Sequence, residues 1–208
     1  FSTSHPKDIT DDVLFTMKKY DNICKYIHLP VQAGNSRVLE LMNRTYTREW
    51  YINKVNRIYE IMPDCAISSD MIAGFCTETE AEHQETLTIM EHSQYSMSYM
   101  FFYSERPNTL AHKKYEDDIP LEVKKRRLTE VIDLQRKMSL TRHEMTIGNT
   151  YEVLIEGFSK KSKDQLQGRT SESKVVVFDA GTHKKGDYVK TKITGCSTGT
   201  LFGTVVDH

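Results

Sequence analysis

The chain has 208 residues, with 28 Lys and Arg against 29 Asp and Glu, and its mean hydropathy is −0.55. This length allows one large domain or two smaller ones, and the balanced charge excludes a uniformly basic nucleic-acid binder. No apolar run reaches the roughly 18–20 residues that cross a bilayer, and no secretory leader opens the sequence, so we expect a cytoplasmic protein. Because the sequence begins at Phe1 rather than Met, we also expect it to be the C-terminal part of a longer protein.

Short β-like runs alternate with helical patterns over residues 1–147, which is typical of βα units around a parallel sheet. The predicted strands cover residues 26–31, 66–74 and 99–103, and the opening residues 1–6 resemble the end of a further strand. The predicted helix starts are Asn35, Thr47, the capping-box pair Thr79 and Glu82, and Pro120. These units are too few for a complete eight-unit barrel of about 250 residues, so we predict the C-terminal part of a partial, TIM-like (β/α) barrel.

The pattern changes near residue 148, where we predict a domain boundary. Short strands separated by polar and glycine turns are predicted at residues 151–155, 166–170, 174–178, 188–194 and 201–206. Five strands without intervening helices favour a small all-β barrel of the OB type over residues 148–208.

Polar residues follow the predicted strands of the first domain. They are Ser4 and His5, Gln32, Asp70 with the backbone around Ile72, and Tyr103, Ser104 and Arg106, with Arg44 after the next helix. The carboxyl ends of parallel strands meet at one edge of the sheet. Each residue taken singly is more often a turn former. Together, an amide, a carboxylate and a guanidinium can hold an adenosine that carries a charged amino-acid tail.

Four cysteines, Cys24, Cys65, Cys76 and Cys196, lie far apart without a C-x-x-C pair. This spacing is not that of a zinc site, and a cytosolic chain keeps such thiols reduced. We therefore expect no metal ligands in this chain and expect these cysteines to be mostly buried.

Several sequence runs carry a resemblance to a known family. They are H-L-P-V-Q-A-G at residues 28–34, M-N-R-T-Y-T at 42–47, D-M-I-A-G-F at 70–75 and Y-S-E-R-P-N-T at 103–109. These runs strongly resemble the methylthiotransferase branch of the radical S-adenosylmethionine (radical SAM) superfamily, and G-R-T at 168–170 resembles its C-terminal TRAM domain. The opening T-S-H-P and the H-L-P form are most similar to the members that act on tRNA. The resemblance covers essentially the whole chain.

The resemblance implies an activity, cofactors and a partner. Family members use a reduced iron–sulfur cluster to cleave S-adenosylmethionine into a 5′-deoxyadenosyl radical, and a second cluster takes part in sulfur insertion. The product would be a 2-methylthio group on N6-isopentenyladenosine beside the anticodon. The implied cofactors are therefore S-adenosylmethionine and two 4Fe–4S clusters, and the implied partner is a tRNA anticodon stem-loop, with an electron donor that the sequence does not identify.

The resemblance also implies roles for individual residues. Gln32 and Asp70 would approach the ribose or methionine part of S-adenosylmethionine, and Arg44 would hold its carboxylate. The backbone of Ile72 would contact the adenine. Ser4 and His5 are carried over as further cofactor-binding positions.

Two departures from the family pattern bear on activity. The C-x-x-x-C-x-x-C run and the three cysteines of the second cluster are absent, so we expect this chain to be inactive by itself. Cys76 and Thr77 replace the usual Pro-Gly, and with no histidine placed by sequence as its base, Cys76 is predicted to be structural.

Basic residues of the second domain are candidates for RNA contacts, because cations on the loops of small barrels meet phosphates. The predicted contacts are Lys160, Lys161, Lys163, Arg169 and Lys174, with Phe158 available for stacking on a base and Lys184 and Lys185 in another turn. The alternative is that the lysine-rich hairpin is only a solvated loop.

Two other functions stay open on the sequence alone, a methylthiotransferase that modifies a ribosomal protein and a non-catalytic RNA-binding module. Finally, a partial barrel leaves its first strand unpaired. We therefore predict a dimer or another association along the edge near residues 1–5.

Overall fold

The computed structural model describes residues 5–206. A short 3-10 helix, Pro6–Asp8, precedes the first set of elements. These are α1 (Asp11–Lys19), β1 (Tyr26–His28), α2 (Ser36–Leu41), α3 (Arg48–Ile61), β2 (Ala66–Ala73), α4 (Glu80–Ser93), β3 (Met97–Phe102), α5 (Leu110–Lys114) and α6 (Leu121–Glu144). Five strands follow, β4 (Thr150–Phe158), β5 (Gln165–Arg169), β6 (Val175–Asp179), β7 (Tyr188–Cys196) and β8 (Leu201–Val205). Residues 1–4, with the predicted first strand end, Ser4 and most of the predicted association edge, lie outside the described residues.

The helices begin where the capping residues of the sequence indicate. Asn35 accepts from the N–H groups of the first turn of α2, and Thr47 accepts from an N–H of α3. Thr79 and Glu82 complete a capping box at the start of α4, which satisfies donors that have no partner inside the helix. The sequence did not predict α1, whose Thr10 cap makes no side-chain hydrogen bond.

The first sheet has the order β1-β2-β3, and both of its pairings are parallel. Helix α6 packs on β3, where Ser98 donates to Gln135 over 2.8 Å. Buried residues between the sheet and the helices form the core, among them Ile27, Ile67, Met71, Ile89 and Val131. Parallel strands joined through helices confirm the predicted α/β class of this unit.

The second unit is a closed five-stranded barrel in the order β4-β5-β6-β8-β7. Its core consists of alternate, inward-facing residues, including Val153, Ile155, Leu166, Phe178 and Ile193. Gly168 on β5 is required by close approach, because a Cβ there would lie 2.3 Å from the carbonyl oxygen of Leu154. The predicted all-β, OB-like barrel is confirmed.

The two units contact each other beside the end of α6. Nδ1 of His143 lies 2.7 Å from the carbonyl oxygen of Ser197 in the β7–β8 turn, and the backbone N–H of Lys25 donates to Ser171 over 3.0 Å. Within residues 5–206, no helix combines the length and apolar character needed to cross a membrane.

Candidate functional site

Two cavities adjoin at the carboxyl edge of the parallel sheet. The large cavity has a volume of about 680 Å³ and the small cavity about 330 Å³. Gln32, Ile72, Tyr103, Thr109 and Ala111 line both. The two cavities are therefore neighbouring compartments that one extended ligand can occupy.

Gln32 lies at the junction of the cavities in a strained conformation. Its φ is 76°, in the left-handed region that non-glycine residues rarely adopt, and it is 7% exposed. Its backbone N–H donates to the carbonyl of Asp70, and its carbonyl accepts from the N–H of Ile72, each over 2.9 Å. Within residues 5–206 its side-chain amide has no hydrogen-bond partner, so the strain holds an uncommitted amide at both cavities.

Asp70 supplies the negative charge of the site. Among the described residues it is the one carboxylate that lines either cavity, and it lies on the wall of the large one. Its Oδ1 is 3.5 Å from Nε2 of His28. A carboxylate in this position can accept hydrogen bonds from ligand hydroxyls.

Two arginines line the cavities, and neither has a hydrogen-bond or ion-pair acceptor among the residues that the structure describes. Arg44 is in the turn after α2 and lines the small cavity, whereas Arg106 lines the large one. Every other arginine side chain in residues 5–206 has a hydrogen-bond or ion-pair partner. An uncommitted guanidinium beside a cavity is suited to bind a carboxylate or phosphate through two parallel hydrogen bonds.

The turn after β2 borders the small cavity through Phe75, and buried polar groups hold this turn in place. Gly74 has a φ of 72°, and its N–H donates to Oε2 of Glu78 over 2.7 Å. Glu78 pairs in turn with Arg127 of α6 over 3.0 Å, and their side chains are 1% and 5% exposed. Burial raises the pKa of Glu78, and the Arg127 guanidinium opposes this shift. The pair ties the turn to α6.

Aromatic residues complete the apolar part of the wall. The rings of Phe75 and Tyr103 meet edge to face with their centroids 4.8 Å apart. Burial raises the pKa of Tyr103 to about 12, so this residue is neutral at physiological pH. Phe101 and Phe102 extend the wall of the large cavity.

Residues 5–206 contain no cluster of three or more His, Cys, Asp or Glu residues that could hold a metal ion. Burial raises the pKa of Cys65 to about 12 and also raises the pKa of Cys76, so both thiols resist forming the thiolate that iron requires. The cysteines of this chain therefore do not fit an iron–sulfur cluster. The amide, carboxylate and guanidinium at the cavities do fit S-adenosylmethionine.

Some predicted site residues come together and others do not. Gln32 and Asp70 meet at the large cavity, and Gln32 and Arg44 at the small one, so the three are shared between two compartments. The backbone N–H of Ile72 donates to the carbonyl of Gln32, and Ile72 lines both cavities. His5 caps the 3-10 helix and packs against Tyr46, and it lines neither cavity.

The basic residues predicted to contact RNA lie at opposite ends of β5. Lys160, Lys161 and Lys163 are exposed in the β4–β5 hairpin, beside the exposed ring of Phe158. Arg169 lies at the other end of β5, where it pairs with Glu156 over 3.2 Å. Lys174 is half-buried over the ring of Tyr151, and burial lowers its pKa. The five residues therefore do not form one cluster. Three of them lie in the hairpin before β5, and the other two lie at or after its far end.

Sequence reasoning missed an aromatic and basic face on the outside of the barrel. Tyr188 is 66% exposed on β7, opposite Leu154 of β4, and Lys190 follows on the same outward side. Buried Val189 and Thr191 alternate with exposed residues along β7, and this alternation is the sequence signal that could have identified the face.

Comparisons with known proteins agree with this architecture. Residues 1–90 match the family model of the Radical SAM superfamily, and residues 144–206 match that of the TRAM domain. The chain is 64% identical over 206 residues to a protein of Amoebophilus asiaticus named tRNA-2-methylthio-N(6)-dimethylallyladenosine synthase, covering 99% of this chain and 42% of that protein. Proteins of the same name from Bacteroides fragilis and Parabacteroides distasonis are each 53% identical, covering 99% and 100% of this chain.

The chain spans less than half the length of these relatives, 45% and 46% for the latter two. Among solved structures, coproporphyrinogen III oxidase from Escherichia coli, described as a radical SAM enzyme, matches with a TM-score of 0.54 at 18% identity. That match covers 82% of this chain and 46% of the oxidase, and it supports the fold alone.

Proposed function

We propose a function from the premise that this chain belongs to the radical SAM superfamily and carries a C-terminal TRAM domain. In this proposal, the chain is part of a tRNA methylthiotransferase that adds a 2-methylthio group to N6-dimethylallyladenosine beside the anticodon. The names of the relatives support the substrate. The observation that carries the proposal is the pair of adjoining cavities, in which an uncommitted amide and an uncommitted guanidinium lie near one carboxylate.

The two cavities suit the two ends of S-adenosylmethionine. The large cavity takes the adenosine, with the ribose hydroxyls donating to Asp70 and the adenine against the apolar wall. The small cavity takes the amino-acid end, whose carboxylate pairs with Arg44. Gln32 contacts the ligand where the cavities meet. When bound, S-adenosylmethionine supplies an adenosyl group attached to a positively charged sulfur.

The iron–sulfur chemistry of the family belongs outside this chain. Because the four cysteines here do not fit a cluster, we place the ligands of both 4Fe–4S clusters in the part of the relatives that this chain does not span. We derive no reaction step from residues 5–206 for that chemistry. The role of this chain is to bind and orient the nucleoside and the RNA.

The barrel is proposed to hold the tRNA anticodon stem-loop. The exposed lysines of the β4–β5 hairpin can contact phosphates, and Phe158 and Tyr188 offer rings on which unpaired bases can stack. Lys174 contributes less than its charge suggests, because it is half-buried against Tyr151. The assignment of RNA binding to the barrel is consistent with the TRAM match over residues 144–206.

Calorimetric titration of the 208-residue chain with S-adenosylhomocysteine tests the cofactor site, since this probe keeps the adenosine and the carboxylate. Replacing Arg44 by Gln removes a charge-assisted pair of about 1.5–3 kcal/mol, so the dissociation constant should rise about 10- to 100-fold. Arg136→Gln is the matched control, because Arg136 is exposed on α6, pairs with Asp133 and lines neither cavity. Equal affinities for wild type and Arg44→Gln would contradict the assignment of Arg44.

A further inference from the structure

One face of the parallel sheet carries a connected row of polar side chains. Tyr26 and His28 are on β1, and Ser68 and Asp70 are on β2. Oη of Tyr26 is 2.6 Å from Oγ of Ser68, and the same Oγ is 2.9 Å from Nδ1 of His28. Nε2 of His28 is 3.5 Å from Oδ1 of Asp70. Strands of parallel sheets are normally rich in Val, Ile and Leu, so core packing does not account for this row.

The hydrogen-bond directions along the row follow from the carboxylate of Asp70 at its end. A carboxylate accepts hydrogen bonds and donates none, so the tautomer that complements Asp70 carries its proton on Nε2, the ring nitrogen that lies 3.5 Å from the carboxylate. Nδ1 of His28 then accepts from the hydroxyl of Ser68, and Ser68 accepts from the hydroxyl of Tyr26. Each group donates in the direction of Asp70. The ring of Tyr99 lies edge to face on the imidazole, 5.9 Å between centroids, and limits its rotation.

We propose that His28 is a positioning residue that orients the carboxylate of Asp70 toward the two neighbouring hydroxyls of a ribose in the large cavity. This inference rests on the proposed function, in which the adenosine of the ligand occupies that cavity. The imidazole is 16% exposed and Asp70 is 28% exposed, so the histidine supports the carboxylate from the less accessible side. His28 acts through Asp70 and is not itself a wall of either cavity.

An oriented carboxylate has a consequence for ligand choice. Two adjacent hydroxyls can donate to the two oxygens of a fixed carboxylate, whereas a 2′-deoxyribose offers only one of these donors. A carboxylate that rotates freely adapts to one hydroxyl and discriminates less. The His28 row should therefore set the preference for ribose over 2′-deoxyribose rather than the overall affinity for adenine.

The test compares adenosine with 2′-deoxyadenosine in calorimetric titrations of the 208-residue chain. Wild type should prefer adenosine about tenfold, the loss expected for one hydrogen bond to a charged group. His28→Leu should reduce this preference to less than about threefold, and His28→Gln should restore most of it, because an amide can also donate to Asp70 and accept from Ser68. His92→Leu is the matched control, since His92 is exposed and contacts Asn56 instead.

The outcomes separate this inference from the proposed function. If wild type binds neither adenosine nor S-adenosylhomocysteine, the cofactor site itself is refuted and the role of His28 with it. If wild type binds S-adenosylhomocysteine but does not prefer adenosine, or if His28→Leu keeps the wild-type preference, the role of His28 is overturned while the cofactor site stands. The fluorescence of Trp50 checks that each variant is folded, and His28→Gln provides a second reading if His28→Leu is not.

Discussion

Removal of the Arg127 side chain should destabilise the first unit far more than removal of its neighbour Arg126. Arg127 is 5% exposed and is the ion-pair partner of Glu78, which is 1% exposed. Arg127→Met therefore leaves a buried carboxylate without its countercharge, which costs about 3–5 kcal/mol. For a chain of this size, that loss corresponds to a fall in melting temperature of roughly 6–20 °C.

Arg126 provides the matched control on the same helix. It pairs with Glu80 and Glu130, but its side chain is 47% exposed, so solvent screens both contacts. Arg126→Met should leave the melting temperature nearly unchanged. Thermal unfolding followed by the fluorescence of Trp50, the one tryptophan of the chain, reports on the first unit. Equal shifts for the two variants would refute the claim that the Arg127 pair holds the turn after β2.

Three further predictions follow from the same structure. Burial raises the pKa of Glu78 in the folded state, so the contribution of Glu78 to stability is lost as pH rises. The melting temperature of Arg127→Met should therefore recover as pH falls from 7 toward 4.5. A melting temperature that does not change with pH would contradict this. Gly34→Ala places a Cβ 2.3 Å from the carbonyl oxygen of Glu85 and should lower the free energy of unfolding, measured in urea, by about 1–3 kcal/mol. Gly199→Ala is the control, because its Cβ would meet nothing within 4 Å. Equal losses for the two variants would argue against the close approach at Gly34. Tyr188→Ala should weaken binding of a tRNA anticodon stem-loop by about 1–3 kcal/mol in fluorescence anisotropy without changing its salt dependence, and a reduced salt slope would indicate a purely electrostatic role.

The local structure of the first unit could largely be predicted because its signals lie within a few residues. The capping box at Thr79 and Glu82 and the cap at Asn35 mark helix starts directly. The predicted strand at 26–31 is shorter in the structure, since β1 ends at His28 and the chain rejoins β2 only through a bridge at Gln32. Pro30, which has no N–H to donate, interrupts the ladder. The comparisons confirm the family resemblance that the sequence motifs indicated.

The site could be predicted only in part, because its arrangement depends on long-range packing. Motifs select Gln32, Asp70 and Arg44 as candidates, but no sequence pattern reveals that they divide between two cavities or that Gln32 has a positive φ. The position of Lys174 is a similar case. The sequence predicts this lysine at the start of a strand and available for RNA, and its position against Tyr151 depends on the packing of the folded barrel.

The central claim is that the adjoining cavities bind S-adenosylmethionine across their junction. A crystal structure of the 208-residue chain with S-adenosylhomocysteine tests it most directly. We expect the ribose at Asp70 in the large cavity and the carboxylate at Arg44 in the small one, with Gln32 between them. A ligand bound outside both cavities, or one whose carboxylate pairs with Arg106 instead of Arg44, would contradict it.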